Sequence, residues 1–95
     1  MRLRLTLRAY GDLETIDTYF ANESPAAGRD VFAAIEKAFE QLMHMPRLGR
    51  PTNTRSVRCL TLLAYPYKIF YRLNDDVIEI LAVFHARQDP DKASF

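Results

Sequence analysis

The stretch "EILAVFHARQDP", residues 79–90, carries an apolar run straight into His85, Arg87 and Asp89 and stops at Pro90. Histidine titrates near neutrality, and arginine grips a phosphate or carboxylate in a planar fork. Side by side they have the makings of a general acid or base with an anion clamp, the equipment of phosphoryl transfer. The same pair also suits plain recognition of an anionic or protein partner, and a solvated strand end would carry such residues too. Asp89 and Pro90 end the strand by removing a donor. The candidate target-contacting residues are therefore His85, Arg87, Asp89 and Pro90.

Other chemistry is thinner. His44 sits where a cation favours a helix C-terminus, and with His85 so distant and no cysteine nearby there is no metal-ligand spacing. Glycines at 11, 28 and 49 make no phosphate-cradling loop, and no cofactor is expected. Arg47, Arg50, Arg55 and Arg58 form a loose basic run, either a solvated loop or a contact for an acidic or phosphate-bearing partner. Cys59 is alone, so it reads as a small core residue, and a reducing cytoplasm fits.

The elements that would position these residues can be read from periodicity. Arg2 to Leu7 alternates, with Leu3, Leu5 and Leu7 on one side, and predicts a half-buried strand. Ala9, Leu13, Ile16 and Phe20 fall at helical spacing. Ser24-Pro25 opens a second helix to about Met43, with Phe32, Ile35, Phe39 and Leu42 on one face and Val31 and Ala38 beside them. The short link between the two makes an antiparallel hairpin. Residues 46–56 read as a loop, followed by strands at Val57–Leu63, Tyr67–Leu73 and Val77–His85, the last two joined at "NDD", 74–76. That turn sets Leu73 opposite Ile78 and Arg72 opposite Glu79. Strict alternation then puts Ile69, Tyr71, Leu73, Ile78, Ile80, Ala82 and Phe84 on a core face. Lys68, Phe70, Arg72, Glu79, Leu81, Val83 and His85 fall on the other, which Arg87 would join. The expected class is α+β, in the order β-α-α-β-β-β, with the helical hairpin on one face of a mainly antiparallel four-stranded sheet.

Composition narrows the rest. Ninety-five residues suit one domain over 1–95, and a 48% apolar content with a net charge of +1 is neither disordered nor a polycation. Any positive site must come from local clustering. No apolar run is long enough to span a membrane, and the alternating charges of "MRLRLTLRAYGDLE" are unlike a secretion signal.

Taken in order, "SPAAGRDVFAAIEKAFEQLMHMPRLGRP" and "TRSVRCLTLLAYPYKIFYRLNDDVIEILAVFHARQDP" resemble the RelE/ParE superfamily of type II toxins over about residues 1–90. The resemblance implies the same fold and a small toxin neutralised by a cognate antitoxin that wraps its surface, with operator DNA contacted only through the antitoxin. RelE-like members cleave mRNA in the ribosome with cationic residues on the sheet face, and here His85, Arg87 and Lys68 would be the set. ParE-like members inhibit DNA gyrase without it. Leu63 stands where RelE-like enzymes often carry arginine, and "QDPDKASF" holds no tyrosine, so the ParE-like branch is favoured. Lys68, Phe70, Arg72, Leu81 and Val83 are the expected antitoxin-binding residues, on a face the chain has no spare helix to cover.

Overall fold

Thr6 is where the period-two pattern gives way to a helix. Its hydroxyl accepts from the Ala9 amide at 3.1 Å and donates to the Ile80 carbonyl at 3.1 Å, capping the helix while tying it to the sheet. The computed structural model, which describes residues 1–87, accordingly has β1 at Arg2–Leu5 and α1 at Leu7–Glu23. Leu7, expected in the strand, is instead an exposed first-turn residue at 94% accessibility, because the cap turns it outward.

Ser24 closes one helix and opens the next. Its amide donates to the Phe20 carbonyl at 2.8 Å, its hydroxyl accepts from Ala27, and α2 runs Pro25–His44 with proline in the first turn. Gly28 lets the helices meet: a Cβ there would lie 2.7 Å from the Cβ of Phe20. Val31, Ile35, Ala38 and Leu42 are the buried stripe of α2, and Phe32 and Phe39 flank it half-buried. The helix is thus rotated slightly from the expected face, and Phe39 sits at the margin of the core.

The sheet has one strand more than expected, because Arg50–Pro51 pairs as β2 at its edge, where proline's missing donor does no harm. With β3 at Arg58–Thr61, β4 at Tyr67–Asn74 and β5 at Val77–His85, the order is β1-β5-β4-β3-β2. Only β1 with β5 is parallel. The β4–β5 turn is the expected one: Asn74 faces Val77, Leu73 faces Ile78, Arg72 faces Glu79, and Asp75 takes the positive φ of 57° that aspartate tolerates.

The register then slips between Phe70 and Tyr71. Tyr71 faces Ile80, yet Phe70 faces Ala82, so Leu81 is an extra residue on β5, a β-bulge. Everything beyond it changes side relative to strict alternation. Val83 pairs with Ile69 in the helix-covered core. Ala82 and Phe84 belong with Leu81, Phe70, Cys59 and Val57 in a second cluster on the opposite face. The expected positions of Val83, Ala82, Phe84 and His85 are corrected accordingly. In "ILAVF" every residue is apolar, so hydropathy carries no phase with which to detect the slip. Leu13, Ile16, Phe20, Ile35, Leu42, Ile69, Tyr71, Ile78 and Ile80 do gather in or against the helix-side core.

Candidate functional site

On the face without helices, Glu79 stands at the centre. Arg4, opposite it on β1, donates to Oε2, and Arg72, opposite it on β4, donates to Oε1 at 2.7 Å. The Arg4 hydrogen bond, helped by Arg72 and opposed by desolvation, holds the Glu79 carboxyl below the usual carboxylate range. A depressed native value stabilises the fold fully above the unfolded value of about 4.3, and the contribution fades as pH falls through the native one. Urea midpoints should therefore decline as pH drops below about 4.5, and Glu79→Gln should flatten that decline. An unaltered slope in the variant would assign the acid lability to other carboxylates.

Around Glu79 the face is cationic at its margins and apolar in its floor. Arg50 lies opposite Cys59, and Lys68 opposite Phe84 and Thr61. The Phe70 and Phe84 rings meet edge-on at 5.5 Å, and the Arg8 guanidinium lies 4.8 Å over Phe84. Arg8 is itself held by Asp12 at 3.1 Å, and the other Asp12 oxygen accepts from the Val83 amide at 3.0 Å, which places the start of α1 along β5 where β1 has ended. Of the residues expected to form an exposed docking patch, Phe70 and Leu81 are buried floor, and Val83 is beneath the helices. Lys68, half-buried, and Arg72, exposed but tied to Glu79, are the accessible remainder. Arg50 of the basic run belongs to this face, and so do Arg4 and Arg8, which were not picked out from sequence. Arg4 could have been, since it alternates against Leu3 and Leu5.

Cys59 lies in the floor, where burial pushes its thiol up despite the Thr61 hydrogen bond and nearby Lys68 and Arg50, as suits a packing residue.

His85 is on the other side. It pairs with Tyr67, ring to ring at 5.5 Å and nearly perpendicular, and Tyr67 belongs to the helix-side core. The Arg87 amide donates to His85 Nδ1 at 3.1 Å, and the Ala86 amide donates to the Pro66 carbonyl at 2.6 Å. The strand ends at His85, and Ala86 and Arg87 form a turn, so alternation does not extend to Arg87. Lys68, His85 and Arg87 are therefore not brought together on one sheet face. Asp89 and Pro90 lie outside the described residues. Leu63, in the connection after β3, is fully exposed.

The basic loop is built, not slack. The Tyr71 hydroxyl donates to the Pro46 carbonyl and accepts from the Gly49 amide, both at 2.8 Å. Gly49 must be glycine, because a Cβ would lie 2.7 Å from the Tyr71 ring and hydroxyl. Arg58 adds a hydrogen bond to the Gly49 carbonyl at 2.6 Å. Among the described residues no three His, Cys, Asp or Glu side chains cluster as a metal ion would need, and no helix is long and apolar enough to cross a membrane.

Residues 3–90 match the family model for the ParE toxin of the type II toxin–antitoxin system parDE. Y4kP of Sinorhizobium fredii, named as a candidate toxin, is 44% identical over 87 residues, which cover 92% of this chain and 90% of that one. A chain from the chromosomal ParDE system of P. aeruginosa superimposes with a TM-score of 0.77 at 27% identity, covering 92% of this chain and 97% of its own. The intact E. coli RelBE complex contains a chain that superimposes at 0.65 with 14% identity, over 92% of this chain and 98% of its own, a likeness of fold alone. The family match over nearly the whole sequence, the 44% identity to Y4kP and the superposition on a ParDE chain give one conclusion: this chain belongs to the ParE toxin family of type II toxin–antitoxin systems.

Proposed function

We propose that this toxin arrests growth by inhibiting DNA gyrase as a binding protein, without catalytic residues of its own, and that a cognate antitoxin neutralises it. The carrying observation is the Leu81 bulge. It puts His85 on the helix side beside Tyr67 and leaves Lys68 on the opposite face, so the cationic trio suited to phosphoryl transfer is not assembled on one surface. The likeness to a ParDE chain supports the same branch. A gyrase target implies action in the cytoplasm. The antitoxin surface would include Lys68 and Arg72, with an acidic segment seated over the Phe70–Leu81 floor; any contact with operator DNA would come through the antitoxin. Arg87, exposed after the last strand, is the described residue best placed to meet the target beyond that surface, in the region that continues to Asp89 and Pro90.

Purified toxin should inhibit gyrase supercoiling and leave ribosome-bound mRNA intact. His85→Gln should alter potency by only a few-fold, whereas an enzyme using His85 as acid or base would lose roughly 10²–10⁴-fold in rate. Normal supercoiling at saturating toxin, with new codon-phased mRNA ends after induction, would replace this reading with ribosome-dependent endoribonuclease activity. The cations of the helix-free face, Arg4, Arg50, Lys68 and Arg72, would then be the place to look for the RNA contact.

A further inference from the structure

Four arginines among the described residues are engaged by carboxylates: Arg2 by Asp76, Arg4 and Arg72 by Glu79, and Arg8 by Asp12. Arg47, Arg55 and Arg58 are in none of these pairs. They line one surface concavity of about 340 Å³ at the β2–β3 edge, and no acidic residue lines it with them. In a chain whose net charge is only +1, three arginines lining one hollow with no acidic residue in its wall are a local excess that an anion would relieve.

The hollow is also held in shape. Arg58 is fixed by its hydrogen bonds to the Gly49 carbonyl at 2.6 Å and the Arg47 carbonyl at 3.4 Å, while Tyr71 pins the chain at Pro46 and Gly49. Both anchors use backbone partners, so they set the position of the arginine without neutralising it. On the opposite wall, the Thr52 hydroxyl bonds the Val57 carbonyl at 2.9 Å and accepts from the Thr54 amide. Ser56, between them, is held at a φ of 65°, a left-handed conformation unusual outside glycine and one that often marks a binding segment. Thr54 and Ser56 line the hollow and carry hydroxyls, and Pro51 and Leu73 supply apolar wall.

We propose that this hollow is a binding site for a phosphate ester of about mononucleotide size. Arginine forks match phosphate oxygens in pairs, hydroxyls complete the shell, and the apolar wall accepts the non-phosphate part. The volume falls at the small end of ligand pockets, about what a single phosphate ester fills. Arg58 lies opposite Tyr71, a helix-side residue, while Val57 reaches the hollow from the cluster of the opposite face, so the site sits at the sheet edge and does not include Glu79; it does not rest on the gyrase reading.

The test is an NMR titration of the isotope-labelled full chain with inorganic phosphate, adenosine monophosphate, a short single-stranded oligonucleotide and a polyglutamate peptide. Phosphate and the mononucleotide should shift the amides of residues 52–58 first and saturably. Arg55→Ala should weaken mononucleotide binding about 10-fold or more, and Arg47→Ala with Arg55→Ala should remove saturable binding. Arg29→Ala, on an exposed turn of α2, should leave it unchanged. Arg58 is left intact because it also holds Gly49. Oligonucleotide binding through the same residues, much tighter than the mononucleotide, would make a nucleic-acid strand the source of the phosphate; comparable affinity would make it a free phosphate ester. No saturable binding by either, shifts centred on Lys68 and Arg72, or tighter binding of polyglutamate than of both phosphate probes would overturn the proposal.

Discussion

Replacing Val83 with lysine should unfold the domain at neutral pH. Strict alternation would place Val83 on the helix-free face near Lys68, where a lysine would reach water and do little. The bulge at Leu81 instead sets it against Ile69 beneath the helices, at 3% accessibility. A lysine fully buried in apolar surroundings loses several pKa units, and each unit corresponds to about 1.4 kcal/mol, so the cost is about 5 kcal/mol or more. Domains of this size have only about 5–15 kcal/mol in hand. Circular dichroism of Val83→Lys should show loss of the cooperative melt at ordinary temperatures. Val83→Thr, which keeps the shape and adds one hydroxyl, should stay folded and lose about 1–3 kcal/mol in urea. A Val83→Lys protein melting within a few degrees of the parent would mean that the β4–β5 pairing runs without the bulge, and would return His85 to the Lys68 face.

The next largest loss should come from Tyr71. It is fully buried, its ring packs in the helix-side core, and its hydroxyl serves two backbone groups of the Pro46–Gly49 loop. Tyr71→Ala removes both, and a large-to-small change of this kind costs about 3–5 kcal/mol. With about 4–8 °C of melting temperature per kcal/mol for a domain this small, the midpoint should drop by roughly 20 °C. Tyr71→Phe separates the two roles. The ring stays, while the buried Gly49 amide and the Pro46 carbonyl lose their partner, at about 1–3 kcal/mol. A Tyr71→Phe protein as stable as the parent would show that water satisfies the loop as well as the phenol does.

What the sequence made legible follows from where its pattern carries phase. The β4–β5 turn, the Leu73–Ile78 register and the Arg72–Glu79 pair were readable because charged and turn residues alternate there with apolar ones. The helix caps were readable at Ser24-Pro25 for the same local reason. At "ILAVF" polarity is constant, so neither the bulge nor the side taken by His85 could be inferred. β2 is invisible to pattern because two residues containing a proline give no periodicity, and its pairing with β3 is a tertiary event. Thr6 escaped notice as a cap because Leu3, Leu5 and Leu7 continue the strand pattern through it. The candidate site was legible as a set of cations and not as an arrangement: Lys68 and Arg72 were assigned to the correct face, while Arg4 and Arg50 needed the partners β5 and β3 to be known.

The parallel pairing of β1 with β5 carries a consequence for the timing of synthesis. The Arg4–Glu79 contact spans 75 positions, and Thr6 reaches Ile80 across 74. Closing so long a chain segment has an entropic cost that only the finished sheet offsets, which makes such contacts late in folding. The helical hairpin can collapse as soon as residues 7–44 leave the ribosome, but Arg2–Leu5 has no strand to join until Val77–Ile80 has been made. Both the Thr6 tie from α1 to the sheet and the Arg4–Glu79–Arg72 cluster wait on the same event. The nascent toxin therefore keeps its sheet incomplete until β5 is made, and its helix-free face is completed in that step.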